Sequence, residues 1–191
     1  MTSVKDFCKK HKACKDGYRW GLKYETMERV FAEGDDSGYI IWAVTRKGVL
    51  TDRELRLFAC FCARQNWHLL TDDRSKRAIE IAERYAAGLA TDDDLDAARN
   101  AAWYAESAVA WSATRAEASA AASAAAFTCC RPTNPGKRNW AATRDAAWAA
   151  ALTAAKASTW DAAWASAQDA QVKWLRENTN PDFGAGLEES K

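Results

Sequence analysis

Cys8, His11 and Cys14 form C-x-x-H-x-x-C near the start of the chain, and soft ligands at that spacing could meet a zinc ion. A structural zinc takes four ligands and no fourth stands nearby, so the triplet reads better as buried thiols beside a histidine, and no metal is expected. His68 follows Trp67 and precedes Asp72 and Asp73, a spacing that would allow a His/Asp acid–base pair. The simpler account is a histidine interacting with the negative end of a helix dipole, because no nucleophile or second base stands at a motif spacing. Arg53, Arg56, Arg64, Arg74, Lys76 and Arg77 gather around two adjacent helix ends. Converging near Trp67 and Tyr85, they would make a cationic, aromatic-walled pocket for a phosphate-bearing, nucleotide-like small molecule. The plainer account pairs them with Glu54, Glu80, Glu83 and the Asp92 to Asp94 run on a solvated face, each pair contributing ~0 to 1 kcal/mol. Phosphate-binding glycine loops, zinc-protease helices and nucleophile elbows are missing from the sequence, so neither an enzyme nor a cofactor is expected.

The elements that would position these groups are helices. Abundant Ala, Leu, Glu and Arg, few β-branched residues and only three prolines favour an all-α fold. A basic opening helix is expected over residues 3–15, broken at Asp16-Gly17, with Tyr18, Trp20, Leu22 and Tyr24 in an aromatic connection. A short helix starts at Thr26 and ends at Gly34. Residues 39–44, YIIWAV, are too short for periodicity to decide, and a helix capped by Ser37 is expected from the helical neighbours. Thr51 and Glu54 give the T-x-x-E box that starts the next helix, which buries Leu55, Phe58, Ala59, Cys62 and Trp67. Thr71 or Asp72 caps a helix with Ala78, Ile79, Ala82, Tyr85 and Ala86 on one stripe, ended by Gly88. Thr91 followed by three aspartates then opens a long helix.

From there the chain becomes an alanine and tryptophan field. Two long helices, from about Asp92 to Phe127 and from about Asn139 to Asn178, are expected to form an antiparallel hairpin around a loop at 128–138. Alanine lets such helices approach, and tryptophans fill the space where they diverge. The domain expected is a single one over 1–179, with a short-helix lobe (1–90) packed on the hairpin (91–179), and a flexible tail over 180–191. Trp140, Trp148, Trp160 and Trp164 share no narrow stripe at helical spacing, so the last helix must either be surrounded by protein or leave some of them exposed, and interfaces use exposed tryptophans as anchors. Trp67, His68, Arg74, Arg77, Tyr85, Trp103, Trp111, Trp160 and Trp164 are the candidate binding residues on these grounds.

Net charge is +1 with acids and bases interspersed, which argues against a nucleic-acid partner. The charged start MTSVKDFCKKHK lacks the apolar segment of a secretion signal, and the alanine tracts are interrupted by charge before ~18 apolar residues accumulate. A cytoplasmic protein without a membrane span is expected, its six cysteines reduced. Cys60 and Cys62 diverge on their helix, and Cys129-Cys130 in the hairpin loop is the pair readiest to oxidise.

The segments ACKDGYRWGLKY, GYIIWAV and LRLFACFCARQNWHLLTDDRSKRAIEIAERYAAGLATDDDLDAARNAAW, followed by alanine/tryptophan helices and QVKWLREN, carry a resemblance over roughly residues 7–180. The chain resembles a family of alanine-rich helical proteins assigned as immunity proteins, found in bacterial polymorphic-toxin loci and phage genomes. DDRSKRAIEIAERYAAG is the most specific part, similar to the family theme D-x-R-x-x-x-A-I-E-x-A-R, with Glu83-Arg84 where the family often has Ala-Arg. The resemblance implies a non-enzymatic protein that neutralises a toxin or a defence component by binding it, an assignment that rests on gene neighbourhoods, and it brings no catalytic residues with it. A protein partner is the first expectation, a nucleotide-like small molecule the alternative, and surplus exposed tryptophan is compatible with a homodimer.

Overall fold

A computed structural model of the 191-residue chain describes residues 1–70, 72–108 and 160–185. Among them lie eight α-helices and no strand. In chain order these are α1 (Val4–Lys10), α2 (Lys15–Gly21), α3 (Met27–Glu33), α4 (Ser37–Val44), α5 (Asp52–Gln65), α6 (Asp73–Ala86), α7 (Asp92–Ala108) and α8 (Trp160–Asn178), with a 3-10 turn at Trp67–Leu69 between α5 and α6. For Trp103 to Ala108 and Trp160 to Trp164 only the helical backbone is described.

Local signals explain most helix starts. The Thr51 hydroxyl accepts from the Glu54 backbone N–H while the Glu54 carboxylate accepts from the Thr51 N–H, a complete capping box for α5. Thr91 and Asp94 exchange the same two bonds at the start of α7, at 3.2 and 2.9 Å. Asp72 caps α6 by accepting from the Arg74 N–H at 2.8 Å. Gly88, with φ +74°, closes the turn after that helix, a conformation that glycine adopts without strain. The 37–44 segment is helical as expected, although Asp36 caps it and not Ser37.

The opening differs from expectation. A single helix over 3–15 does not form: α1 stops at Lys10 because Lys12 turns left-handed (φ +53°) and the Ala13 N–H bonds back to the Cys8 carbonyl. Cys14 then starts α2, its sulfur accepting from the Gly17 N–H at 3.3 Å. Asp16-Gly17, expected as a break, lies inside that helix. Glycine gives room there, since a Cβ on Gly17 would stand 3.1 Å from the Tyr39 ring.

Two cores share α5. On one side Phe58, Leu55 and Cys62 join Val4 and Phe7 of α1, Met27 and Val30 of α3, Ile40 and Val44 of α4, and Val172 and Leu175 of α8. On the other, Ala59, Cys60 and Ala63 pack with Leu70, with Ile79 and Ala82 of α6 and with Leu95 of α7. Positions 55, 58 and 62 follow one stripe of α5, and 59 and 63 an adjoining one. α7 therefore rests on α6, and α8 rests on α4 and α5. Polar bonds fix α8 further, as Arg176 donates to the Phe31 and Gly34 carbonyls at the end of α3, and Ser37 donates to Asp169.

The tail expected to be flexible over 180–191 is instead bound through residue 185. Phe183 is buried between Phe7 and Phe31, its ring 5.6 and 6.2 Å from theirs. The Asn180 N–H donates to Glu54, the Asp182 N–H donates to the Val49 carbonyl, and Lys10 donates to the Ala185 carbonyl. This strap was hidden because its anchor partners lie far away in sequence. The body of the expected hairpin, with its loop at 128–138, Cys129, Cys130, Trp111, Trp140 and Trp148, lies outside the described residues.

Candidate functional site

The corner between α5 and α6 holds most of the residues singled out above. Trp67, half-buried in the 3-10 turn, lies under the Arg64 guanidinium at 4.1 Å, with the Lys76 ammonium 5.9 Å from the same ring. The same guanidinium bonds both oxygens of Glu83, at 2.8 and 2.7 Å, and that pairing raises the Arg64 pKa. A second pair stands apart from the first: Arg56 covers Tyr85 at 4.6 Å, and the Tyr85 hydroxyl donates to Asp92 at 2.6 Å. Arg74 folds back onto Asp72, whose carboxyl it holds below the usual carboxylate range. Arg53 donates to the Ala86 carbonyl.

Convergence on one cationic pocket, the arrangement a phosphate-bearing ligand would need, is therefore not what these side chains make. Arg64 and Arg74 are matched by carboxylates of their own chain, and the two aromatics face different cations. His68 and Arg77 are exposed. Of the two acids considered as partners for His68, Asp72 is committed to the α6 cap and to Arg74. Trp103 lies on α7, and Trp160 and Trp164 on α8, with their side chains outside the described residues.

Cys8, His11 and Cys14 go three ways. Cys8 is buried, Cys14 is exposed as the α2 cap, and the His11 ring packs on Phe7 with centroids 4.4 Å apart. Burial, with Lys10 and Arg46 nearby, lowers the His11 pKa to about 4, so the imidazole is neutral near pH 7. Among the described residues no three His, Cys, Asp or Glu side chains gather as a metal would require.

A cavity of about 500 Å³ opens between α1, α2, α3, α4 and α8. Its floor reaches the first core, at Val4, Cys8, Met27, Val30, Ile41 and Ala43, and its walls carry Trp20, Tyr39 and Trp42. Gln168 and Gln171 of α8 bring amides to one side; Gln171 is buried and donates to Gln65 at 3.3 Å. Lys12 and Cys14 are its exposed members and mark the rim. Gly17 and Gly21 form the α2 wall, where a Cβ would lie 3.1 Å from Tyr39 and 3.1 Å from Val4 respectively. Each glycine inside a helix costs about 1 kcal/mol relative to alanine, and here it lets α2 lie close against α4 and α1.

Comparison with family models, with curated proteins and with solved structures finds no match to this chain. The cavity is not legible in the sequence alone. The four-residue spacing of Gly17 and Gly21, with Trp20 between them and Tyr39 and Trp42 further on, was the available signal, and it carries meaning only once α2 is known to be a helix.

Proposed function

We propose that this chain is a non-enzymatic binding protein of the immunity or anti-defence kind, which neutralises a toxin or defence component by docking through the α5–α6 corner. The observation that carries the reading is the state of Arg64, stacked on Trp67 and locked by both oxygens of Glu83. Arginine and tryptophan are the residues on which binding energy concentrates at protein interfaces, and a side chain already held in place loses less freedom on association. The charges around them are mixed and internally paired, which suits a protein surface better than a phosphate group. The family resemblance points the same way. Trp103, Trp111, Trp160 and Trp164 are the further tryptophans this reading would enlist as anchors.

Co-expression with a toxin or defence protein encoded beside it is the test. The full chain should restore growth and elute with that protein as a stoichiometric complex, and Trp67→Ala should weaken the complex at least tenfold while leaving the circular dichroism spectrum unchanged. Thermal stabilisation by ATP or GTP that depends on Arg74 and Arg77, with no protein bound, would replace this reading with the nucleotide one.

A further inference from the structure

We propose that the cavity between α1, α2, α3, α4 and α8 is a binding site for an uncharged, mainly apolar small molecule carrying one hydrogen-bonding group. The site is separate from the α5–α6 corner and does not depend on the docking reading. Its volume, about 500 Å³, falls in the range of small-molecule sites and exceeds what any one side chain would fill. The cavity opens to solvent at its rim, and its apolar floor offers water few polar partners, so an apolar body would be favoured there over solvent.

Chemistry selects the class of ligand. The floor is aliphatic and thiol, while Trp20, Tyr39 and Trp42 offer ring faces and edges, so a flat or cyclic hydrocarbon body fits. The Gln168 amide, half-buried on α8, stands within 3.6 Å of a Cβ placed on Gly38, and offers one donor and one acceptor at the polar side. Among the lining residues Lys12 at the rim is balanced by Asp36, whose carboxylate is engaged with the Tyr39 N–H, so neither sign of charge is called for. A phosphate or carboxylate ligand would find no buried cation among those residues.

The probe is N-phenyl-1-naphthylamine, an uncharged dye whose emission rises in apolar surroundings, titrated into the full-length chain and displaced by 1-naphthol or naphthalene. Saturable one-to-one emission is expected, with 1-naphthol displacing the dye at several-fold lower concentration than naphthalene. Ala43→Phe, which grows a ring from the floor, should lower dye affinity at least tenfold. Gln168→Leu, at a half-exposed position that leaves the core intact, should level the two competitors even if the first variant does not fold. Trp67→Ala should leave the titration unchanged, so failure of the docking reading and failure of this one are separate results. Emission that never saturates, an Ala43→Phe protein that folds and binds the dye as before, or equal displacement by the two competitors in the unmodified chain would each overturn the proposal. One-for-one displacement of the dye by a protein partner would also overturn it, by assigning the cavity to a partner's side chain.

Discussion

Replacing Phe183 by alanine tests whether the strap after α8 is part of the core. The ring is 3 % exposed and lies edge-on to Phe7 at 5.6 Å and tilted to Phe31 at 6.2 Å. Phenylalanine-to-alanine changes in a core typically cost 3 to 5 kcal/mol, and each aromatic contact adds about 0.5 to 1.5 kcal/mol beyond area. The strap is also held by backbone bonds at Asn180 and Asp182, so it stays in place and leaves a void rather than closing over it. A loss of about 3 kcal/mol, at the low end of that range, is expected. For a domain of this size that corresponds to a fall in Tm of about 6 to 12 °C. Urea titration should show the midpoint falling at constant slope. A loss under about 1 kcal/mol would refute the claim that Phe183 is a core residue, and a change of slope would mean that the variant altered the unfolded or native ensemble instead.

Three further outcomes follow from the geometry. His11 has a folded pKa lowered to about 4 against an ordinary 6.5, so the unfolded chain binds the extra proton in that interval. Its contribution to stability is complete above pH 6.5 and is lost as pH falls toward 4, and His11→Gln should flatten this part of the stability curve measured by urea titration. Of Cys8, Cys14, Cys60 and Cys62, only Cys14 is exposed, and burial raises the Cys8 and Cys62 thiols; mass mapping after brief alkylation of the native chain should find Cys14 modified before Cys8, and Cys60 and Cys62 only on unfolding. Gly34→Ala would drive a Cβ into the Val30 carbonyl and to within 3.1 Å of Trp20, and thermal unfolding should register a loss of about 1 to 3 kcal/mol.

What the sequence made legible was local. Thr51 with Glu54, Thr91 with its aspartates and Gly88 state their roles within four residues, because cap donors and acceptors are near neighbours in the chain. The 37–44 segment could be assigned only from its neighbours, since a run apolar on every side has no period to read. Lys12 ends α1 in a conformation more often taken by glycine, and Gly17 admits a ring from another helix instead of breaking its own; neither fact is visible before the helices pack. At the candidate site, Trp67, Arg64 and Glu83 were individually noted, but which cation would meet which carboxylate depended on the angle between α5 and α6. Arg74 found Asp72, two residues away, and not the aromatic wall. The cavity is a property of five helices at once.

Because the strap meets α1, that helix is completed by residues made long after it. Lys10 and the Ala185 carbonyl it binds are separated by 175 positions. At a synthesis rate of about 5 to 20 residues per second, Phe7 emerges about 10 to 35 s before Phe183 can cover it. Throughout that interval the nascent chain shows an uncovered aromatic patch to the cell, and a truncated product would show it permanently. Chaperone contact during translation, and rapid proteolysis of chains cut short before residue 183, are the biological signatures this arrangement imposes.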